Sequence, residues 1–244
     1  MVKNGDNVGL SCPNSHYFPI IYYAILKAGG VVVPLSILLK EDEVEYHLDD
    51  ADVKFYFCFE GNDALPMGKA GVEGFKRVST CKEIILIPSS STGKNPFDVG
   101  ISFADFVFEQ SGQFEMVQTS AENTAVIIYT SGTTGRPKGA QLTHSNLAWN
   151  ANISRILFQF KEEDVALTVL PMFHIFGQTC LMNASIMHGI TNVIIPRFDP
   201  SNVLRAMQVT GVSIFAGVPT MYWALLNYPD DSNKLNIGIV KSNL

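Results

Sequence analysis

Short, nearly uninterrupted apolar runs rich in β-branched residues recur along this chain, and most are followed by a stretch with helical periodicity. The runs are NVGL (7–10), VVVP (31–34), VKFYFCF (53–59), EIILIP (83–88), TAVIIYT (124–130), VALTVLP (165–171), TNVIIP (191–196) and SIFAG (213–217). A sheet with one wet face alternates apolar and polar residues. Runs that are apolar on both faces mark strands buried between helices, as in parallel sheets. The helical stretches begin with NSHYFPIIYYAILKAGG (14–30), with Asn14 or Ser15 as N-cap and a glycine pair as stop, and the acidic EDEVEYHLDDA (41–51). SFADFVFEQ (102–110), THSNLAWNANISRIL (143–157, capped by Thr143), GQTCLMNASIMHG (177–189) and DPSNVLRAMQVTG (199–211) follow, and PTMYWALLNY (219–228) opens on Pro219. This order predicts an α/β fold, a mainly parallel sheet flanked by helices. No linker marks a domain boundary.

Bulk properties narrow the function. Net charge is −6 with no long basic run, which argues against a nucleic-acid groove. Cys12, Cys58, Cys81 and Cys180 form no C-x-x-C pair and have no zinc spacing, so they read as buried thiols in a reducing, cytoplasmic compartment. The opening MVKNGDNVGL lacks the apolar core of a signal peptide. Residues 17–39 are the most membrane-like stretch, but Pro19, Lys27, Gly29, Gly30 and Pro34 divide it into a helix and a strand, and no transmembrane segment is expected. His16, His47 and His188 are isolated and read as surface or cap residues. The acidic run 41–50 reads as a solvated helix face rather than a metal site.

The chemistry-bearing stretch is YTSGTTGRPKG (129–139), delivered by the run TAVIIYT. Gly132, Gly135 and Gly139 let backbone N–H groups approach an anion, Thr130, Ser131, Thr133 and Thr134 add hydroxyl donors, and Lys138 adds a mobile positive charge. Hydrogen bonds to a charged group contribute about 1.5–3 kcal/mol each, so a few make a phosphate cradle. The pattern is not the G-x-x-x-x-G-K-[ST] nucleotide loop, because Lys138 follows Pro137. SSSTGKNPFD (89–98) is a near miss for that loop, since Gly93-Lys94 is followed by Asn95, and it reads as a polar loop.

The stretch 129–139 resembles the phosphate-binding signature of the adenylate-forming (AMP-binding) superfamily, whose members include acyl-CoA synthetases. LPMFHIFGQT (170–179) and VSIFAGVPTMYWALL (212–226) resemble further motifs of its long-chain fatty-acyl-CoA synthetases, and residues 5–15 and 22–51 resemble its first βαβ units. The resemblance implies that Thr130, Ser131, Gly132, Thr133, Thr134, Gly135 and Lys138 hold the phosphates of ATP. It also implies that Phe173 and His174 lie near the carboxylate to be activated, and that Gly217, Val218 and Pro219 line the acyl or nucleotide side. On residue type alone, His174 in an apolar run reads as a satisfied core histidine. The implied reaction joins a fatty-acid-like carboxylic acid to ATP and then to coenzyme A, with Mg²⁺ accompanying ATP, and with Lys138 and His174 as the candidate catalytic groups.

The chain lacks the superfamily's Tyr-Gly-x-Thr-Glu, Thr-Gly-Asp and Gly-Arg-x-x-Asp motifs. Residues 1–244 are therefore expected to be part of an AMP-binding N-terminal domain without the C-terminal lid domain, with weak or no complete ligase activity alone. Exposed apolar faces are expected to drive self-association. Two alternatives remain open. One is a small ester or thioester hydrolase using Ser131 or Ser145 with His144 or His174, although no G-x-S-x-G elbow is present. The other is a non-catalytic ATP- or acyl-binding module.

Overall fold

The computed structural model describes residues 2–89, 95–132 and 135–229. The chain divides into two compact units, one built from Met1–Cys12 and Tyr17–Ser145, the other from Pro13–His16 and Asn146–Leu244. This division has no counterpart in a linker composition.

The first unit holds a seven-stranded sheet, and the apolar runs form its centre. Its strands are β1 (Asn7–Ser11), β2 (Val31–Pro34), β3 (Phe55–Phe59), β4 (Glu83–Ile87), β5 (Ile101–Ser102), β6 (Thr124–Thr130) and β7 (Lys138–Thr143), in the order β5-β4-β3-β1-β2-β6-β7. Every pairing is parallel except β6 with β7, which is antiparallel. Val8, Leu10, Tyr56, Ile84 and Leu86 are fully buried. Burial of such a side chain is worth about 1.5–3 kcal/mol. Helix α1 (Tyr17–Lys27) buries Phe18, Ile21, Tyr22 and Ile25, one face at helical spacing. Gly29, at φ +78°, ends it, and the Gly30 amide donates back to the Ile25 carbonyl.

Helix α2 (Glu41–Asp50) is not wholly a solvated acidic face. Glu41, Asp42 and Glu43 are exposed, but Val44, His47 and Leu48 are buried. His47 therefore departs from the expected surface or cap position. Helix α3 (Met67–Lys76) lies where no helix was expected. Gly68, Gly71 and Gly74 share one of its faces, and side chains there would strike the Glu60 carbonyl, Cys58 Sγ and Val44. Glycine thus lets α3 approach β3 and α2 closely. Helix α4 (Phe103–Val107) is capped by Ser102, whose hydroxyl accepts from the Asp105 amide.

The second unit holds a parallel three-stranded sheet, β10-β8-β9, formed by β8 (Val165–Thr168), β9 (Thr191–Ile194) and β10 (Ile214–Phe215). Helix α5 (His144–Phe158) leads into it. A π-helical segment, Gly177–Asn183, runs directly into α6 (Ala184–Met187). Helix α7 (Pro200–Thr210) is capped by Asp199 and closed by Gly211 in the left-handed region, and α8 (Pro219–Leu226) opens on Pro219. Among the described residues, no helix is long and apolar enough to cross a membrane.

Candidate functional site

The glycine-rich stretch closes a β-hairpin rather than leading from a strand into a helix. In β6, Ala125, Val126, Ile127 and Ile128 are buried, and the strand emerges at Tyr129 and Thr130. Because β6 runs parallel to β2, the loop lies beyond the carboxyl ends of the parallel strands, where open α/β sheets bind ligands. The chain returns as β7, with Tyr129 opposite Gly139 and Thr130 opposite Lys138. Directly opposed residues project to the same face, so the Thr130 hydroxyl and the Lys138 ammonium belong to one surface. Gly139 is fixed by close approach, since a Cβ there would lie 2.7 Å from Ile127 Cγ2.

Within the loop, Gly132 (φ +57°) and Gly135 (φ +141°) occupy backbone regions that side chains disfavour. Thr130, Ser131, Gly132, Gly135 and Lys138 are all exposed. Thr133 and Thr134 lie outside the described residues, as do positions 90–94 of the near-miss loop. Lys138 makes no ion pair among the described residues. A free ammonium beside backbone and hydroxyl donors can neutralise and orient a polyphosphate.

Sequence reasoning missed a second group, on α2. The Tyr46 hydroxyl donates to the Pro137 carbonyl at 2.8 Å, and the Arg136 guanidinium lies 5.3 Å from the centre of the Tyr46 ring. The Tyr129 hydroxyl donates to Asp50 Oδ2 at 2.6 Å, and the His47 and Tyr129 rings are 4.3 Å apart. Burial, with the Asp50 carboxylate next, pushes the Tyr129 phenol well up. His47 Nδ1 donates to the Glu43 carbonyl at 2.6 Å, and burial lowers its pKa from 6.5.

The remaining site residues belong to the second unit. Strands β8 and β10 are parallel neighbours, so the segments that follow them leave the sheet at the same end, beyond the strands' carboxyl termini. Phe173 and His174 follow β8, while Gly217, Val218 and Pro219 follow β10. Asn14 was expected to cap α1, which instead begins at Tyr17. Its buried amide donates to the Leu170 carbonyl at 3.0 Å and the Ile195 carbonyl at 3.3 Å, and accepts from the Met172 amide at 2.8 Å. This pins the turn that leads to His174. His174 is exposed, not a core histidine, and its Nδ1 accepts from the Phe176 amide at 3.3 Å. Phe173 is half-buried. Gly177 fits against the same turn, where a Cβ would lie 2.3 Å from the Pro171 carbonyl oxygen. A Cβ on Gly217 would meet the Phe215 ring at 3.2 Å, and Val218 and Pro219 form the exposed entry to α8.

Of the alternative nucleophiles, Ser145 finds other partners. Ser145 Oγ lies 2.9 Å from Thr143 Oγ1 and donates to Glu122 Oε1 at 3.4 Å, not to His144. No group of three or more His, Cys, Asp or Glu side chains suited to a metal ion occurs among the described residues.

A family model described as AMP-binding enzyme matches residues 2–241. The chain belongs to the AMP-binding enzyme family. A long-chain-fatty-acid–CoA ligase of Bacillus subtilis (strain 168) is 30% identical over 246 residues, covering 94% of this chain and 44% of the relative. The anthranilate CoA ligase AuaEII, solved in complex with anthranoyl-AMP, is similar with a TM-score of 0.84 and 27% identity, over 95% of this chain and 43% of that one. A long-chain-fatty-acid-CoA ligase (FadD1) from Archaeoglobus fulgidus is similar with a TM-score of 0.79 and 26% identity, over 93% and 42%. The chain spans less than half the length of these relatives.

Proposed function

We propose that residues 1–244 form part of the N-terminal domain of a fatty-acid–CoA ligase, contributing its ATP-phosphate and acyl-facing groups. The observation that carries this reading is the β6–β7 hairpin, which sets exposed Ser131, Gly132 and Gly135 between Thr130 and Lys138, a residue with no ion pair among the described residues. In the proposed reaction a carboxylate oxygen bonds to the α-phosphorus of ATP as the bond to pyrophosphate breaks. The thiol of coenzyme A then attacks the acyl carbon, its proton is lost to solvent, and AMP leaves.

This chain's part is positioning and charge neutralisation. Thr130, Ser131, Gly132, Thr133, Thr134 and Gly135 donate to the β- and γ-phosphates, and Lys138 stabilises the charge that accumulates as pyrophosphate departs. Phe173, His174, Gly217, Val218 and Pro219 face the carboxylic acid. Mg²⁺ would enter with ATP, held mainly by the phosphates and water, and would neutralise their charge. The reading extends to a reducing, cytoplasmic setting, supported by Cys12, Cys58, Cys81 and Cys180 being free thiols. It also extends to self-association through Trp149, Ile153 and Ile156, which project exposed from α5 at helical spacing.

Calorimetric titration with ATP, alongside ATP–pyrophosphate exchange with a long-chain fatty acid, tests the proposal. The expected result is ATP binding with weak or no exchange. A chain that binds neither ATP nor inorganic tripolyphosphate overturns the reading.

A further inference from the structure

Helix α2 grips both ends of the hairpin loop. On the incoming side, the Tyr129 hydroxyl donates to Asp50 Oδ2 at 2.6 Å, and the Tyr129 ring lies against that of His47 at 4.3 Å. On the outgoing side, Tyr46 donates to the Pro137 carbonyl at 2.8 Å and carries the Arg136 guanidinium over its ring at 5.3 Å. The Tyr46 and Tyr129 rings also meet edge-on, with centres 6.3 Å apart. A single stretch of α2, residues 46–50, therefore touches the residue before the loop's first hydroxyls and the residues just before Lys138.

The outgoing contact acts on a specific torsion. Proline fixes its own φ, which leaves ψ as the soft angle at Pro137. Rotation about ψ swings the Pro137 carbonyl, and with it the planar peptide that carries the Lys138 amide. A hydrogen bond from Tyr46 to that carbonyl holds ψ, and so holds the base from which the Lys138 side chain departs. The same logic applies to Tyr129, whose side chain is tied to Asp50 one residue before Thr130. Between these anchors Gly132 and Gly135 leave the backbone permissive. Anchoring the ends lowers the ordering cost of closing such a loop on an anion.

We propose that Tyr46 and Asp50 are positioning residues for the phosphate loop, with His47 as the buried wedge that seats Tyr129. They hold the Pro137–Lys138 peptide and thereby set the affinity for a triphosphate. The affinity part rests on reading the loop as an ATP-phosphate cradle, whereas the bracing of the hairpin does not.

The test uses the full 244-residue chain and two readouts. Amide hydrogen exchange at residues 138–140 is measured without ligand, and affinity is measured with ATP and with inorganic tripolyphosphate. Tyr46→Phe and Asp50→Ala should each speed exchange there and weaken triphosphate binding roughly 3- to 10-fold, the scale of one hydrogen bond. Asp50→Asn keeps an oxygen that accepts from Tyr129 and should restore both readouts. Asp49→Asn makes the same charge change on an exposed neighbour and should alter neither. Unchanged exchange in Tyr46→Phe, or Asp49→Asn matching Asp50→Ala, overturns the proposal. If the wild-type chain binds neither triphosphate, the cradle reading falls, and the exchange data still decide the bracing. Faster exchange in Tyr46→Phe then supports it, and unchanged exchange sinks it.

Discussion

The two segments assigned to ligands are braced in opposite ways. The turn carrying Phe173 and His174 is pinned from beneath by Asn14, a buried amide whose hydrogen bonds all go to backbone, and is closed by Gly177 against the Pro171 carbonyl. The glycine-rich hairpin loop is held from the side, by Tyr46 and Asp50 on the partly exposed surface of α2. Buried, saturated amides are expensive to break, because each orphaned partner keeps its full desolvation cost. Half-exposed hydroxyl and carboxylate contacts compete with water and are individually weak. The first brace therefore fixes a turn as part of a core, while the second only biases the conformation of an exposed loop.

The sharpest way to break this contrast is Asn14→Ala. It leaves the Leu170 and Ile195 carbonyls and the Met172 amide without partners, and should destabilise the chain by about 2–4 kcal/mol in urea unfolding. Tyr46→Phe should cost no more than about 0.5–1.5 kcal/mol in the same experiment. Equal losses in the two variants would erase the distinction between a core pin and a side brace.

Lys138→Ala probes the loop itself and comes next in size. Because Lys138 is exposed and makes no ion pair among the described residues, stability should stay within about 0.5 kcal/mol of wild type. Affinity for ATP and for tripolyphosphate should both fall roughly 10- to 100-fold, the scale of one charge-assisted hydrogen bond. Titrations belong at a fixed, low ionic strength, since exposed charges are screened. A loss confined to ATP would place Lys138 away from the phosphates.

The contrast was only partly legible in the sequence, for physical reasons. Nearly continuous apolar runs announced β1, β2, β3, β4, β6, β8 and β9, and the Asp199-Pro200 start and Gly211 stop announced α7, because burial and capping are local in sequence. Helix α3 escaped because Gly68, Gly71 and Gly74 lower helix propensity, and only tertiary contact reveals them as a docking face. Strand β7 escaped because it is a largely exposed edge strand without apolar alternation. The loop's Ser, Thr, Gly and Lys content was readable, but its hairpin geometry was not. Asn14 could not be placed, since its partners Leu170 and Ile195 lie 156 and 181 residues away. His47 carried a signal that went unused: with Val44 and Leu48 it completes the apolar stripe of α2 at helical spacing.

The smallest expected effect separates the two braces by pH. His47 has its pKa lowered from 6.5, chiefly by burial, and opposed by its hydrogen bond to the Glu43 carbonyl and by the Glu43 and Asp50 charges. Tyr46 on the same helix and Tyr129 from β6 are the other titratable groups against it, and both keep their protons in this range because their pKa values are raised. Among the described residues, Arg136 meets the cluster over the Tyr46 ring. A histidine with a lowered folded pKa binds protons better when unfolded. Its contribution is therefore full above pH 6.5 and is lost as pH falls from there through the lowered folded value. Amide exchange at residues 138–140, corrected for its intrinsic pH dependence, should accelerate as pH drops through this window, and His47→Phe should flatten the response. Exchange at the Met172 amide, held by the non-titrating Asn14, should stay level over the same range. A parallel response at both places, or one that survives His47→Phe, would mean that protonation loosens the chain as a whole rather than the brace under the hairpin loop.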